Sequence, residues 1–144
     1  MKAFYEQQRA LFEVQLTFSV ETDDIDDAGT VSNITYIRWL ENLRLTMLDM
    51  YWRLDREIAR CRPVLASTHI ERKHPIRLFE QPVGKMWLAG LGRVQWTVQA
   101  EICCGQKLVA TATQVGFQVN GITMRPIPIP EQLFQDYWEY QWSL

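Results

Sequence analysis

Strong charge of either sign is missing from this 144-residue chain, whose 15 Lys and Arg against 17 Asp and Glu leave a net charge of −2. A nucleic acid or an anionic membrane surface needs a basic field to hold it, so neither is an expected partner. No apolar run approaches the length needed to cross a bilayer, and the stretch from Met1 to Ala10 has no apolar leader core. The protein is therefore expected to be cytoplasmic. Cysteine is sparse, with three residues, two of them adjacent at Cys103 and Cys104. Neighbours in a strand point to opposite faces and seldom pair, so no disulfide framework is expected. Histidine is scarcer still: His69 and His74 stand five apart on an expected strand, which separates their faces, and no CxxC accompanies them. No metal site is expected. GxSxG, P-loop and GxGxxG patterns are all absent, and no cofactor is implied. What is plentiful is apolar surface: 47% of residues are hydrophobic and 12% aromatic, with six Trp. The length suits one domain, taken as residues 1–144, with a large core or an apolar pocket.

Along the chain, Phe12 to Glu21 alternates without a fault, which predicts a half-buried strand. The Asp-rich stretch from Thr22 to Gly29 fits neither period and reads as a loop holding Asp23, Asp24, Asp26 and Asp27. Thr30, Ser32 and Asn33 then offer helix-capping oxygens, and Ile37, Leu40, Leu43, Met47, Met50 and Leu54 recur at helical spacing. Tyr36, Trp39, Leu48, Tyr51 and Trp52 widen that stripe, so the helix should be largely covered. Four strands follow, over Val64–Lys73, Val83–Leu91, Val94–Cys103 and Leu108–Val119, with a tight turn at Gly105-Gln106 joining the last two. In the final strand Leu108, Ala110 and Ala112 share one face while Val115, Phe117 and Val119 lie on the other. That pattern implies either a bulge near Gln114 or burial on both sides. After Asn120-Gly121, three prolines interrupt pairing before a short aromatic helix over Glu131–Tyr140. The fold class is α+β: a five-stranded antiparallel sheet wrapped around one long central helix.

The run from Glu21 to Glu41, with Asp26 three residues before Gly29 and a Tyr36…Trp39-Leu-Glu41 helix behind it, resembles the signature of the hot-dog acyl-CoA thioesterases, in their 4-hydroxybenzoyl-CoA thioesterase-like branch. The tail Arg125-Pro-Ile-Pro-Ile-Pro-Glu131 is similar to that branch's ending, and the order of elements agrees over nearly the whole chain. The resemblance implies hydrolysis of an acyl-CoA thioester by a homodimer joined edge to edge, with dimers able to pair into tetramers. Independently, an exposed sheet edge with this much aromatic surface is an aggregation hazard unless it is covered. Many relatives carry His after the loop glycine, where this chain has Thr30.

A thioester carbonyl needs a base or nucleophile on one side and hydrogen-bond donors for the developing oxyanion on the other. The resemblance assigns the first role to Asp26, which keeps the family spacing to Gly29; Asp27 is the next candidate. The free amides at the helix start, near Val31 to Asn33, supply the second, with the amide of Asn33 as leading donor. Gly29, Thr30, Val31 and Tyr36 are the expected substrate contacts around them. Arg72, Lys73, His74 and Arg93 are candidates for CoA phosphates, and a solvated strand end is the plainer reading. Tyr36, Trp39 and Trp87 are candidate walls for the acyl group, or simply core; Phe134, Tyr137, Trp138 and Trp142 are expected to pack. Two other functions fit the same frame. A hydratase or dehydratase would bring a His to the loop, which Thr30 and the absence of any His before His69 oppose. A non-catalytic acyl-CoA-binding module would have no need of Asp26 at its spacing.

Overall fold

A computed structural model describes residues 10–52 and 61–143. Five strands form one antiparallel sheet: β1 (Val14–Thr17), β2 (Cys61–Arg72), β3 (Val83–Leu91), β4 (Gln95–Cys104) and β5 (Lys107–Asn120). Their spatial order is β1-β3-β4-β5-β2, which leaves β1 and the much longer β2 at the edges. The helix α1 (Asn33–Tyr51) lies against β3 and β1, and α2 (Glu131–Ser143) closes the chain. This is the hot-dog arrangement of one long helix held by a five-stranded sheet.

The alternation read from the sequence survives in burial: Val14, Phe18 and Val20 are buried while Gln15, Thr17 and Ser19 are exposed. The paired strand is shorter than that alternation, because Phe12 turns at a φ of 59° and the ladder to β3 ends at Thr17↔Val83. In α1, Tyr36, Trp39, Leu40, Leu43 and Met47 are buried. Burying such side chains contributes roughly 1.5–3 kcal/mol each, so packing rather than helix propensity holds the element. The buried stripe is narrower than expected, since Ile37 and Met50 are 48% and 54% exposed. Leu54 lies outside the described residues.

Of the two expectations for the last strand, a bulge near Gln114 or burial on both sides, the register shift lies in the neighbouring strand, where β2 slips between Leu65 and Ser67. β5 instead keeps a continuous inner face of Ala110, Ala112, Gln114, Gly116 and Gln118, all buried, with Val115 and Phe117 half-buried on the outer face. The tail supports the end of this strand, where Val119 bridges Pro126 and the Ile127 amide donates to the Gln118 carbonyl at 2.9 Å. In α2 Leu133 is buried and Phe134 and Tyr137 half-buried, but Trp138 and Trp142 stand out of the chain at 52% and 85% exposure.

Gly116 is required by close approach. A Cβ built there would overlap the ring of Trp96, its partner across the β4–β5 ladder, and the carbonyl of Val64. Gly116→Ala is expected to lower stability by about 3 kcal/mol, the upper end of overpacking costs, as a fall in urea midpoint at unchanged slope. An unchanged midpoint would mean that Trp96 does not lie over Gly116.

Candidate active site

The acidic loop is ordered by its own carboxylates. Thr22–Asp24 makes one 3-10 turn, and Asp24 is buried, at 4% exposure. Its Oδ2 accepts the Glu21 amide at 2.9 Å, and its Oδ1 accepts the Thr35 hydroxyl at 3.3 Å together with the Arg38 guanidinium. Its carbonyl accepts the Ser32 amide at 2.8 Å. Asp24 thus joins the loop to the first turns of α1.

Asp26 occupies the next, exposed turn. Its Oδ1 accepts the amides of Ala28 and Thr30 at 3.0 and 3.2 Å and the Thr30 hydroxyl at 3.3 Å. Oδ2 has one long contact, to that same hydroxyl at 3.4 Å. The turn closes through the Gly29 amide donating to the Asp26 carbonyl at 3.0 Å, with Gly29 at a φ of 78° that a side chain would strain. The Thr30 amide beside the carboxylate is the leading reason that the Asp26 pKa falls below its ordinary 3.8, so the group is ionised at neutral pH.

Seven residues on, α1 begins. Ser32 is its N-cap and accepts from the Thr35 amide at 3.3 Å; the Tyr36 amide donates to the Ser32 carbonyl at 3.2 Å. The Val31 amide is engaged by the Ile76 carbonyl and the Ser32 amide by Asp24, both at 2.8 Å, so neither is available as the sequence reading supposed. Among the described residues, the amides of Asn33 and Ile34 have no acceptor. These two donors sit at the positive end of the helix dipole.

Arg72, the last residue of β2, is drawn into this helix start. Its guanidinium donates to the Val31 carbonyl at 2.8 Å and to Asn33 Oδ1 at 3.0 Å, and it lies 5.1 Å from the centre of the Tyr36 ring. It is a clamp on the site frame rather than a free cation. Tyr36 itself is fully buried, as is Val31, so neither side chain offers surface to a ligand; burial also pushes the Tyr36 phenol pKa up. Trp39 stacks on Phe18 at 4.9 Å and belongs to the core. Lys73 and His74 are exposed at the same end, with Lys73 3.9 Å from Glu71. Arg93 lies beyond the other end of the sheet, separated from Arg72 by the run of β2 from Val64, on the order of 26 Å at ~3.3 Å per residue. Trp87 sits between buried Met86 and Leu88 and so faces away from α1. Cys103 and Cys104 are poor nucleophiles: burial raises both thiols, and with the Glu80 carboxylate it pushes Cys104 up to about 11. Among the described residues, no three His, Cys, Asp or Glu side chains gather to hold a metal ion.

Two features were not foreseen from the sequence. One is the division of labour among the aspartates, since composition alone does not say which is buried. The other is the segment from Ile76 to Glu80, which runs beside the Asp26 loop through a Thr30↔Arg77 bridge and was visible only as a gap between strands.

A family model described as the thioesterase-like superfamily matches residues 20–136. The fold is similar to that of a DHNA-CoA thioesterase from Staphylococcus aureus, with a TM-score of 0.74 and 19% identity over 91% of this chain and 89% of that one. A 1,4-dihydroxy-2-naphthoyl-CoA thioesterase from Synechocystis gives 0.73 and 14%, over 86% and 94%. A probable thioesterase from Bartonella henselae gives 0.72 and 18%, over 82% and 99%. At such identities the likeness is one of fold. No curated protein is a significant match in sequence.

The two structural roles in the loop are separable by mutation. Asp24→Ala is expected to cost about 2–3 kcal/mol, the loss of a buried charged acceptor, with little added by the half-exposed Arg38. Asp27→Ala, at an exposed position, should stay within about 0.5 kcal/mol. Equal losses in urea denaturation would contradict the assignment.

Proposed function

We propose, for a chain that belongs to the thioesterase-like superfamily and whose reaction type is thioester hydrolysis, that it cleaves acyl-CoA thioesters with Asp26 as the catalytic carboxylate. The observation that carries this reading is the pairing of an ionised, exposed Asp26 with a helix start whose Asn33 and Ile34 amides have no acceptor among the described residues. The thioester oxygen accepts from the Asn33 amide, which polarises the carbonyl and stabilises the tetrahedral oxyanion. Asp26 supplies the other half. Its carboxylate attacks the carbonyl carbon to give a mixed anhydride that water then opens, or it takes a proton from the attacking water; in both routes the CoA thiolate leaves and is protonated. Gly29 and Thr30 shape the loop around that carboxylate, and Arg72 fixes the position of the donors through the Val31 carbonyl.

The acting unit is a homodimer. β2 presents twelve residues along a free edge, and Ile34, Ile37 and Leu45 of α1 are 77%, 48% and 54% exposed in the single chain. An unpaired edge of that length and exposed apolar side chains on the helix each favour pairing with a second copy. Sedimentation velocity of the full chain is expected to give twice its 17.0 kDa mass, and a monomer at micromolar concentration would oppose this.

Thiol release from a panel of short, long and aromatic acyl-CoAs tests the reaction. Asp26→Asn keeps the size of the side chain and should lose about a hundredfold or more in kcat with the fold intact. Full activity in that variant would transfer the role to another group. Because the Asp26 carboxyl is held below its ordinary 3.8, its ionised form persists as pH falls through the usual carboxylate range. The wild-type kcat/KM should therefore show no acid limb from this group between about pH 5 and pH 8. A limb near neutrality would mean that some other group is the base.

A further inference from the structure

The helix α1 lies against β3 and β1, and it reaches the other side of the sheet through two polar cross-links. At its first turn, Arg72 of β2 donates to Asn33 Oδ1 at 3.0 Å. Three turns further on, Arg44 donates to Gln114 Oε1 of β5 at 2.8 Å, and Gln114 Nε2 donates to Thr68 Oγ1 of β2 at 3.1 Å. Both cross-links sit on one ladder, where Arg72 is opposite Ala110 and Thr68 opposite Gln114. The rung between them is apolar, Ile70 opposite Ala112. Four residues of strand separate the two ends, on the order of 13 Å at ~3.3 Å per residue. Three helical turns from Asn33 to Arg44 give about 16 Å, so the two elements agree.

Residues three turns apart share a helix face, which puts Ile37 and Leu40, between Asn33 and Arg44, opposite the Ile70 rung. Leu40 is buried, whereas Ile37 and Ile70 are partly uncovered, so an apolar strip runs from the vacant amides of the helix start toward Arg44. Arg44 ends that strip with an unbalanced charge. It is half-buried, and among the described residues it makes no ion pair; its hydrogen-bond acceptor is the neutral amide oxygen of Gln114, itself buried. Burial draws the guanidinium pKa below its ordinary 12.5, and the exposed Glu41 one turn earlier acts in the opposite sense. A desolvated guanidinium with donors to spare calls for an anionic partner. A chain that is apolar along its length and anionic at its tip complements the strip and its end together.

We propose that Arg44 selects thioesters whose acyl chain ends in a carboxylate, the chain lying along Ile37, Leu40 and Ile70 and its tip meeting the guanidinium. Arg44 is thereby a specificity-determining residue remote from the bond that breaks. The proposal rests on the thioester-hydrolase reading of the Asp26 loop.

Two CoA thioesters of equal length test it: one of a linear dicarboxylic acid of about ten carbons, matching the span between the rungs, and one of the methyl-ended fatty acid. Wild-type kcat/KM is expected to be about tenfold or more higher for the carboxylate-ended chain. That margin should vanish when the distal carboxylate is masked as its methyl ester, a comparison that needs no variant. Arg44→Gln keeps an amide donor for Gln114 and removes the charge. It should lower kcat/KM for the carboxylate-ended chain about tenfold or more and leave the methyl-ended chain within about twofold, while Arg44→Lys keeps most of the preference. If Arg44 only ties the helix to the sheet, both chains lose equally in Arg44→Gln, and the proposal is overturned. A wild type that favours the methyl-ended chain or the methyl ester overturns it too. So does a change of sedimenting mass in Arg44→Gln, which would place the guanidinium between two copies of the chain. Calorimetric titration of Asp26→Asn with the same thioesters separates the two readings. Selective binding of the carboxylate-ended chain without hydrolysis by the wild type would count against the catalytic reading alone. Hydrolysis indifferent to the distal group would count against the role of Arg44 alone.

Discussion

The carboxylate of Asp24 is the constraint on which the site depends. It is buried, yet it accepts the Glu21 amide, the Thr35 hydroxyl and the Arg38 guanidinium, while its carbonyl takes the Ser32 amide. Those partners come from the entry of the loop, the cap of α1 and two further positions in the helix's first turns. One side chain thereby fixes where the loop begins and where the helix starts. A buried charge is tolerable only when its lone pairs are filled in this way, and that requirement locks the geometry between the two ends. Asp26 and the helix amides hold their mutual positions as a consequence.

Within that frame, hydrogen-bond accounting shows which groups are left without partners. Among the described residues, every backbone amide from Thr30 to Tyr36 has an acceptor except those of Asn33 and Ile34. The amides before them are consumed by Asp26, Ile76 and Asp24, and those after them by Ser32. Asp26 shows the same economy: one oxygen is filled by its own turn, and the other has only a long hydroxyl contact. The groups left over are a carboxylate oxygen and two dipole-end donors, the complement that acyl transfer requires.

Much of this was legible in the sequence, because periodicity reports which side of an element is buried. The alternation from Phe12, the helical stripe through Leu40, Leu43 and Met47, and the turns at Gly105 and Asn120 all locate elements found in the structure. The spacing of Asp26 to Gly29 marked the exposed turn. Failures cluster where a residue's role is set by a partner distant in sequence. Arg72 reads as a surface cation because nothing local reveals that Val31 and Asn33 will meet it from 41 and 39 residues away. The choice between a bulge near Gln114 and burial on both sides of β5 stayed open, since a register shift belongs to a pair of strands and here it is β2 that carries it. Tyr36, Trp39 and Trp87 read equally as pocket walls or as core; Tyr36 and Trp39 are core, and Trp87 lies on the opposite face of the sheet.

Arg72 is both the terminal residue of the free edge strand and the side chain that grips the Val31 carbonyl and Asn33. The border of the sheet and the origin of the helix are thus mechanically one part. Whatever stiffens the end of β2 also immobilises the two vacant amides, and whatever peels that strand end away withdraws the guanidinium and frees the first turn of α1. Order at the rim and order at the candidate site are therefore coupled through one guanidinium, with Asp24 holding the other side of the same helix start.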